Sequence, residues 1–248
     1  MAVRLVLLLC LALGQAESGW AATFTVNPVQ VFLSAKTRSV ILTLRNVSDE
    51  TLRFQLDVFA WDQDGRGEMA LQPTRDIVFF PSLLTLAPGE ERNVRVGTAT
   101  PPGATEKTYR IFIEELRPPA GAVLPAGQVR VLTKVGIPIF IEPLKASAAA
   151  RVDDARLQAG QLSFAVRNTG TVHFVVQSVR LTGYGPAGER VLDGAFEGWY
   201  VLPGGVRHYE LALPAGDCPK VRSLGIEVQT TRATLSERVE APAGACAP

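Results

Sequence analysis

The chain is poor in the residues on which most enzyme chemistry depends. Among its 248 residues are two histidines, three cysteines and two methionines, and aromatic residues make up only 7%. No G-x-S-x-G, H-E-x-x-H or phosphate-cradling glycine loop is present, which removes the common hydrolase, zinc-protease and nucleotide-binding signatures. His173 and His208 both stand beside apolar strand residues. That setting suits a structural or surface histidine better than a general base or metal ligand. No charge sign dominates either, since 25 Lys and Arg oppose 24 Asp and Glu for a net charge of +1. Nucleic-acid binding needs a basic excess that this balance lacks. Past the first residues no apolar run is long enough to cross a bilayer as a helix, so no membrane insertion is expected. The chain is expected not to be an enzyme and to carry no cofactor.

What remains suits a protein of many short strands. Apolar residues reach 47%, enough for real cores, and 22 glycines and 17 prolines are spread along the chain as turn residues. The opening MAVRLVLLLCLALGQAESGWAA has one arginine, an apolar run over residues 5–13 and then small residues. This is the layout of a secretory signal peptide over residues 1–22, with cleavage expected near Ala21 and Ala22. Cys10 follows Leu9 rather than a small residue, which argues against lipid anchoring. The mature protein would then be exported and keep two cysteines, Cys218 and Cys246. In an oxidising compartment an even pair is expected to form a disulfide, whereas two ligands alone make a poor metal site.

From Phe24 onward the pattern is one of alternating strands bounded by turn residues, with no helical periodicity. Seven or so short strands at regular spacing predict a β-sandwich of immunoglobulin type. Trp61 on the third strand and Tyr109 at the start of the sixth fit that fold's buried tryptophan and tyrosine corner. After Glu142-Pro143 the pattern restarts. LTLRNVS (residues 42–48) is echoed by FAVRNTG (164–170), and LAPGEER (86–92) by LPGGVR (202–207), in the same order. The expectation is all-β: two immunoglobulin-like sandwiches in tandem over residues 23–143 and 144–248, hinged near residues 143–150.

Several short patterns carry less than they suggest. GRGEMA (65–70) fits a dinucleotide fingerprint formally but sits in a predicted hairpin turn with no helix after it. DQDGRG (62–67) resembles the start of a calcium loop yet has Arg66 where a ligand belongs. Asn46-Val47-Ser48 is a glycosylation sequon that also reads as a strand-end turn. Glu114 and Glu115 are adjacent on a strand, so they point to opposite faces and cannot act as a carboxylate pair. Arg95 is inward-facing if Val94 and Val96 face out, and would then need Glu114 or Glu115 as its partner; otherwise it is a solvent-facing arginine.

The stretch QVRVLTKVGIPIFI (128–141) is too long and too apolar for an ordinary strand. Fourteen residues at about 3.3 Å each reach roughly 45 Å. Either the strand is central and buried on both faces, or part of it is left free to pair with another chain. Pro138 favours an edge, because proline has no N–H to donate to a ladder.

These pieces together resemble the periplasmic chaperones of bacterial chaperone–usher pilus assembly, in its archaic, divergent branch. The residues that carry the resemblance are VNPVQVFL (26–33), LTLRN (42–46), FFPSLLTLAPGEERNVRV (79–96), YRIFIEEL with RPP (109–119) and GIPIFIEP (136–143). RNTG and GWYVLPGG (198–205) extend it into the second half. The resemblance implies an L-shaped pair of domains with a cleft between them. It also implies a periplasmic location and, as partners, pilin subunits, an outer-membrane usher and a second copy in a self-capping dimer. The long strand would be donated to a pilin that lacks its own last strand, through Val129, Val131 and Thr133, with Val135 and Leu124 as extensions. Pro81 falls where the family places a proline at a tight, often cis, junction. Other members hold the pilin's C-terminal carboxylate with an arginine in the first strand and a lysine in the donor strand. Here those positions fall near Val29 and Pro138, neither of which binds an anion, and Lys134 or Arg110 would have to substitute. A secreted adhesin or structural pilus subunit with two sandwiches is the alternative.

Overall fold

The computed structural model describes residues 24–117, 131–242 and 244–246. The stretch expected to be a signal peptide and Leu124, Gln128, Val129 and Arg130 lie outside the described residues. Ten strands make up the first half: β1 Phe24–Asn27, β2 Val31–Leu33, β3 Ser39–Asn46, β4 Leu52–Gln63 and β5 Met69–Pro73, then β6 Ile77–Phe80, β7 Leu83–Leu86, β8 Glu91–Thr98, β9 Lys107–Glu115 and β10 Lys134–Ile141. They form two sheets. One has the order β1-β3-β8-β6, the other β2-β10-β9-β4-β5, with β7 also on β4.

The core follows from strict alternation. Leu42 and Leu44 of β3, Leu52, Phe54 and Leu56 of β4, Val94 and Val96 of β8, and Ile111 and Ile113 of β9 turn inward between the sheets. Arg95, lying between two inward valines, therefore faces outward, and its Nη1 donates to Ser39 Oγ at 3.1 Å. The inward alternative is corrected by the burial of Val94 and Val96. Tyr109 is buried as expected, but its hydroxyl donates to the Asp76 carboxylate at 2.7 Å rather than to backbone just upstream. Burial and that carboxylate push the phenol above the ordinary tyrosine range. β5 was not anticipated. Its side chains are mostly apolar yet exposed, and it pairs only with the far end of β4. The stretch FTVNPVQVFL (24–33) divides into β1 and β2, which lie in different sheets, at the cis peptide Asn27–Pro28. The Phe80–Pro81 peptide is also cis.

The second half repeats the plan with β11 Ala150–Gln158, β12 Gln161–Asn168, β13 Phe174–Tyr184, β14 Arg190–Phe196, β15 Tyr200–Val201, β16 Val206–Ala212, β17 Ser223–Thr230 and β18 Thr234–Glu240. The sheets run β11-β12-β16 and β14-β13-β17-β18, with β15 on β13. Between them lies a separate core around Phe164, Phe174, Val179 and Ile226. Cys218 and Cys246 are disulfide-bonded, tying the end of the chain to the short 3-10 turn Cys218–Lys220.

The internal echo is structural. In the first half Asn46 N–H donates to Glu90 O, and its side-chain amide donates to Leu86 O and Glu50 O. In the second half Asn168 N–H donates to Gly205 O, and its amide donates to Val201 O and Val172 O. Each buried asparagine thus fastens the end of one strand to a Pro-Gly turn on a neighbouring strand. This is why the arginine–asparagine and proline–glycine pairs recur together. The sequon at Asn46 is part of this turn: its side chain is buried and bonded inward.

Candidate functional site

Two features of the first half stand apart from a closed sandwich, and both involve β10. The first is its edge. β9 pairs with β10 along its whole length, from Lys134↔Glu114 to Ile141↔Lys107. On the other side β2 runs parallel to it only over Ile139–Ile141. Among the described residues, the part from Lys134 to Pro138 therefore has no strand on that side. The inward face carries Val135, Ile137, Ile139 and Ile141, all packed on the core. Continuing the same period of two places Thr133 and Val131 on that face, where the core ends, and Val131 is 59% exposed. The strand begins at Lys134 rather than Gln128 among the described residues. β9 stops at Glu115, and only its N–H continues the ladder, to Thr133 O at 2.9 Å. The Thr133 N–H also donates to the Glu115 carboxylate at 3.3 Å, and among the described residues no strand pairs with residues 131–133.

The second feature is the outward face of this sheet, which the second half covers. Trp61, Phe140 and Leu202 form a small buried cluster, with Tyr200 against it. Phe140 is thus buried on the face opposite the sandwich core, which explains the uninterrupted apolar run at the end of β10. Trp61 is buried too, but at this junction instead of in the sandwich core where an immunoglobulin-type tryptophan was expected. Polar contacts frame the cluster. Gln63 donates to Tyr200 O and accepts from Leu202 N–H, both at 2.8 Å. On the other side Glu106 Oε2 accepts from both His173 N–H at 2.8 Å and Nδ1 at 2.7 Å, and the His173 ring stacks 3.7 Å from Phe140.

Within this frame lies Arg110, paired across the ladder with Pro138. The residue is only 7% exposed. Its guanidinium sits over the Trp61 ring at 4.2 Å, with Trp199 at 5.4 Å and Tyr200 at 6.0 Å from Cζ. Among the described residues no carboxylate reaches it, and its buried Nε has no hydrogen-bond partner. Burial pulls the guanidinium below arginine's ordinary range, while Tyr200 opposes that shift. A buried cation set among aromatic faces, with a donor left over, has the chemistry that suits an anion.

A profile of the family described as "Pili and flagellar-assembly chaperone, PapD N-terminal domain" matches residues 23–147. The chain belongs to this family of pilus-assembly chaperones. Solved structures share its fold. The chaperone–tip subunit pre-assembly complex CsuC–CsuE, from archaic chaperone–usher Csu pili of Acinetobacter baumannii, aligns with a TM-score of 0.58 at 18% identity, covering 88% of this chain and 98% of that one. The chaperone DraB of E. coli aligns at 0.53 and 18% identity, covering 90% and 99%. The Salmonella enterica SafA pilin–SafB chaperone complex aligns at 0.55 and 15%, covering 89% and 98%. No curated protein sequence matches the chain significantly.

Within this pilus chaperone the two cations considered for a carboxylate anchor are in different states. Lys134 is half-exposed and already paired with Glu114 Oε2 at 2.7 Å, on the same outward face as Phe112. Arg110 is buried at the junction and, among the described residues, has no carboxylate partner. Glu106, His173, Gln63 and Tyr200 were not singled out from the sequence as a group. Each is a polar or aromatic residue whose partner lies more than a strand pair away, so no local spacing marks them. The only hint was GWYVLPGG, which contains Tyr200 and Leu202.

Proposed function

We propose that this protein is a periplasmic, ATP-independent chaperone that caps pilin subunits by strand donation and passes them to an outer-membrane usher. Residues 1–22 would be its signal peptide, and residues 23–143 and 144–248 its two domains. The observation that carries this reading is that the apolar row of β10 carries on into the segment before the strand's first residue, Lys134. Its core-facing row of Val135, Ile137, Ile139 and Ile141 continues into Thr133 and Val131, which have no core of their own to fill. An unpaired strand edge with an apolar row is what an incomplete sandwich in another chain needs. The donated backbone supplies main-chain hydrogen bonds and the alternate side chains fill its groove. Val129 would extend the row by one position. Arg110 is favoured over Lys134 as the carboxylate anchor, because it is unpaired and largely dehydrated. There an anion gains a charge-assisted bond without displacing an existing partner.

The test is co-expression in a bacterial periplasm with pilins encoded beside the gene, followed by pull-down and size-exclusion chromatography. A stoichiometric complex is expected with the wild type, and none with the double variant Val129→Glu, Val131→Glu, while the variant keeps its unfolding midpoint. Capture that survives the double substitution would sink the strand assignment.

A further inference from the structure

A single guanidinium fixes one side of a carboxylate; the structure offers a second donor for it from the other domain. Gln30 Nε2 lies 2.6 Å from Tyr200 Oη. The amide nitrogen can only donate, so the hydroxyl accepts that bond and its own hydrogen points elsewhere. Among the described residues no acceptor takes it. The Tyr200 ring also forms part of the wall around Arg110, meeting Trp61 edge-on at 5.2 Å and Trp199 at 5.5 Å. An undirected hydroxyl hydrogen and a guanidinium with an unpartnered buried Nε are two donors set among the same aromatic rings. Two donors of this kind suit an oxyanion with two acceptor oxygens.

We propose that the Tyr200 hydroxyl, oriented by Gln30, is the second ligand of the carboxylate held by Arg110. The inference rests on the reading that Arg110 anchors a client's terminal carboxylate. Arg110 comes from β9 and Tyr200 from β15, so the site is complete only when the two domains are docked. Client anchoring and domain docking then support one another. Trp61 and Trp199 both stand against the Arg110 guanidinium, so occupancy is reported by their fluorescence.

The probe is a short, soluble threonine–valine peptide with a free C-terminal carboxylate, compared with the same peptide as a C-terminal amide. Binding to the mature protein is followed by tryptophan fluorescence. The wild type is expected to bind the acid about a hundredfold more tightly than the amide, about tenfold from each of the two donors. Tyr200→Phe, which keeps the ring, should lose about tenfold for the acid and nothing for the amide. Gln30→Leu should fall between the two, and Arg110→Gln should cut the preference by about tenfold or more. The amide affinity serves as the control for folding. Wild-type acid affinity in Tyr200→Phe, with the preference cut in Arg110→Gln, overturns the role of Tyr200 and leaves the anchor at Arg110 standing. A preference undiminished in Arg110→Gln overturns the anchor itself, and no preference in the wild type, including no binding of either peptide, overturns both.

Discussion

Asn46 and Asn168 show how much one side chain holds in this molecule. Asn46 donates to three carbonyls, of Glu50, Leu86 and Ala87, and its Oδ1 accepts from Ser48. Replacing it with alanine leaves buried carbonyls unpaired, at about 1–3 kcal/mol each. Asn46→Ala and Asn168→Ala should each lower stability by roughly 2–4 kcal/mol in urea unfolding. A loss below half a kcal/mol would show that these turns hold without the amide. A second residue-scale expectation concerns Asp153, which accepts from Arg167 Nε at 2.8 Å and Arg151 Nε at 2.9 Å. The Arg167 bond, then Arg151, holds its carboxyl below the reference value of 3.8. A carboxyl depressed in the folded state contributes stability above that value and loses it as pH falls through the lower folded one. The advantage of wild type over Asp153→Asn in urea midpoint should therefore shrink from pH 6 to pH 3. A constant difference would mean that the arginine pairing does not act through charge.

At the scale of elements, the closing segment depends on its covalent tie. The Cys218–Cys246 bond closes a sequence separation of 28 residues and links the 3-10 turn to the chain's end, beside Val221 and Ala245 in the second core. Cross-linking a loop of that length lowers the entropy of the unfolded chain by about 3–4 kcal/mol at room temperature. Cys218→Ser with Cys246→Ser should cost roughly that amount, read as a second-domain transition at lower urea while the first-domain core is unaffected. A shift of both transitions together would show that the domains unfold as one unit. β10 is the opposite case. Over Lys134–Pro138 its backbone is paired with β9 alone among the described strands, and its core contacts end at Val135, so substitutions on the residues beyond should change binding and leave unfolding in place.

Across the whole molecule, the junction depends on close approach. The tip of the β4–β5 hairpin lies against the second domain, where Arg207 Nη1 donates to Gly67 O at 3.3 Å. Gly67 has φ +83°, and a Cβ there would stand 2.7 Å from Val206 O. Only glycine suits both the left-handed backbone and the contact. Gly67→Ala should push the hairpin away and loosen the Gln63 bonds to Tyr200 O and Leu202 N–H. The measurement is hydrogen exchange: the Leu202 amide should exchange faster while the amides of Leu44 and Ile226 keep their protection. Unchanged exchange at Leu202 would show that the hairpin does not hold the domains together.

Local pattern was enough to determine the strands, the repetition of one sandwich plan, the paired asparagine and Pro-Gly turns, and the two cysteines left to pair. Alternation with a period of two acts between residues two apart, and turn chemistry acts within four, so both are written in consecutive letters. The same local pattern left Arg95 open between two faces and missed β5, a short edge strand whose Met69 and Leu71 stay exposed instead of marking a buried face. The apolar run ending in Phe140 looked ambiguous because both causes of burial, core and partner, read alike in sequence. Tertiary structure decided between them: Ile137, Ile139 and Ile141 fill the core, Phe140 is covered by the second domain, and Val131 is left over. It also decided the fate of Arg110, since the rings around it come from residues 61, 199 and 200 and no anion comes with them. Whether a cation is paired depends on groups that only folding brings together, and no spacing along the chain records it.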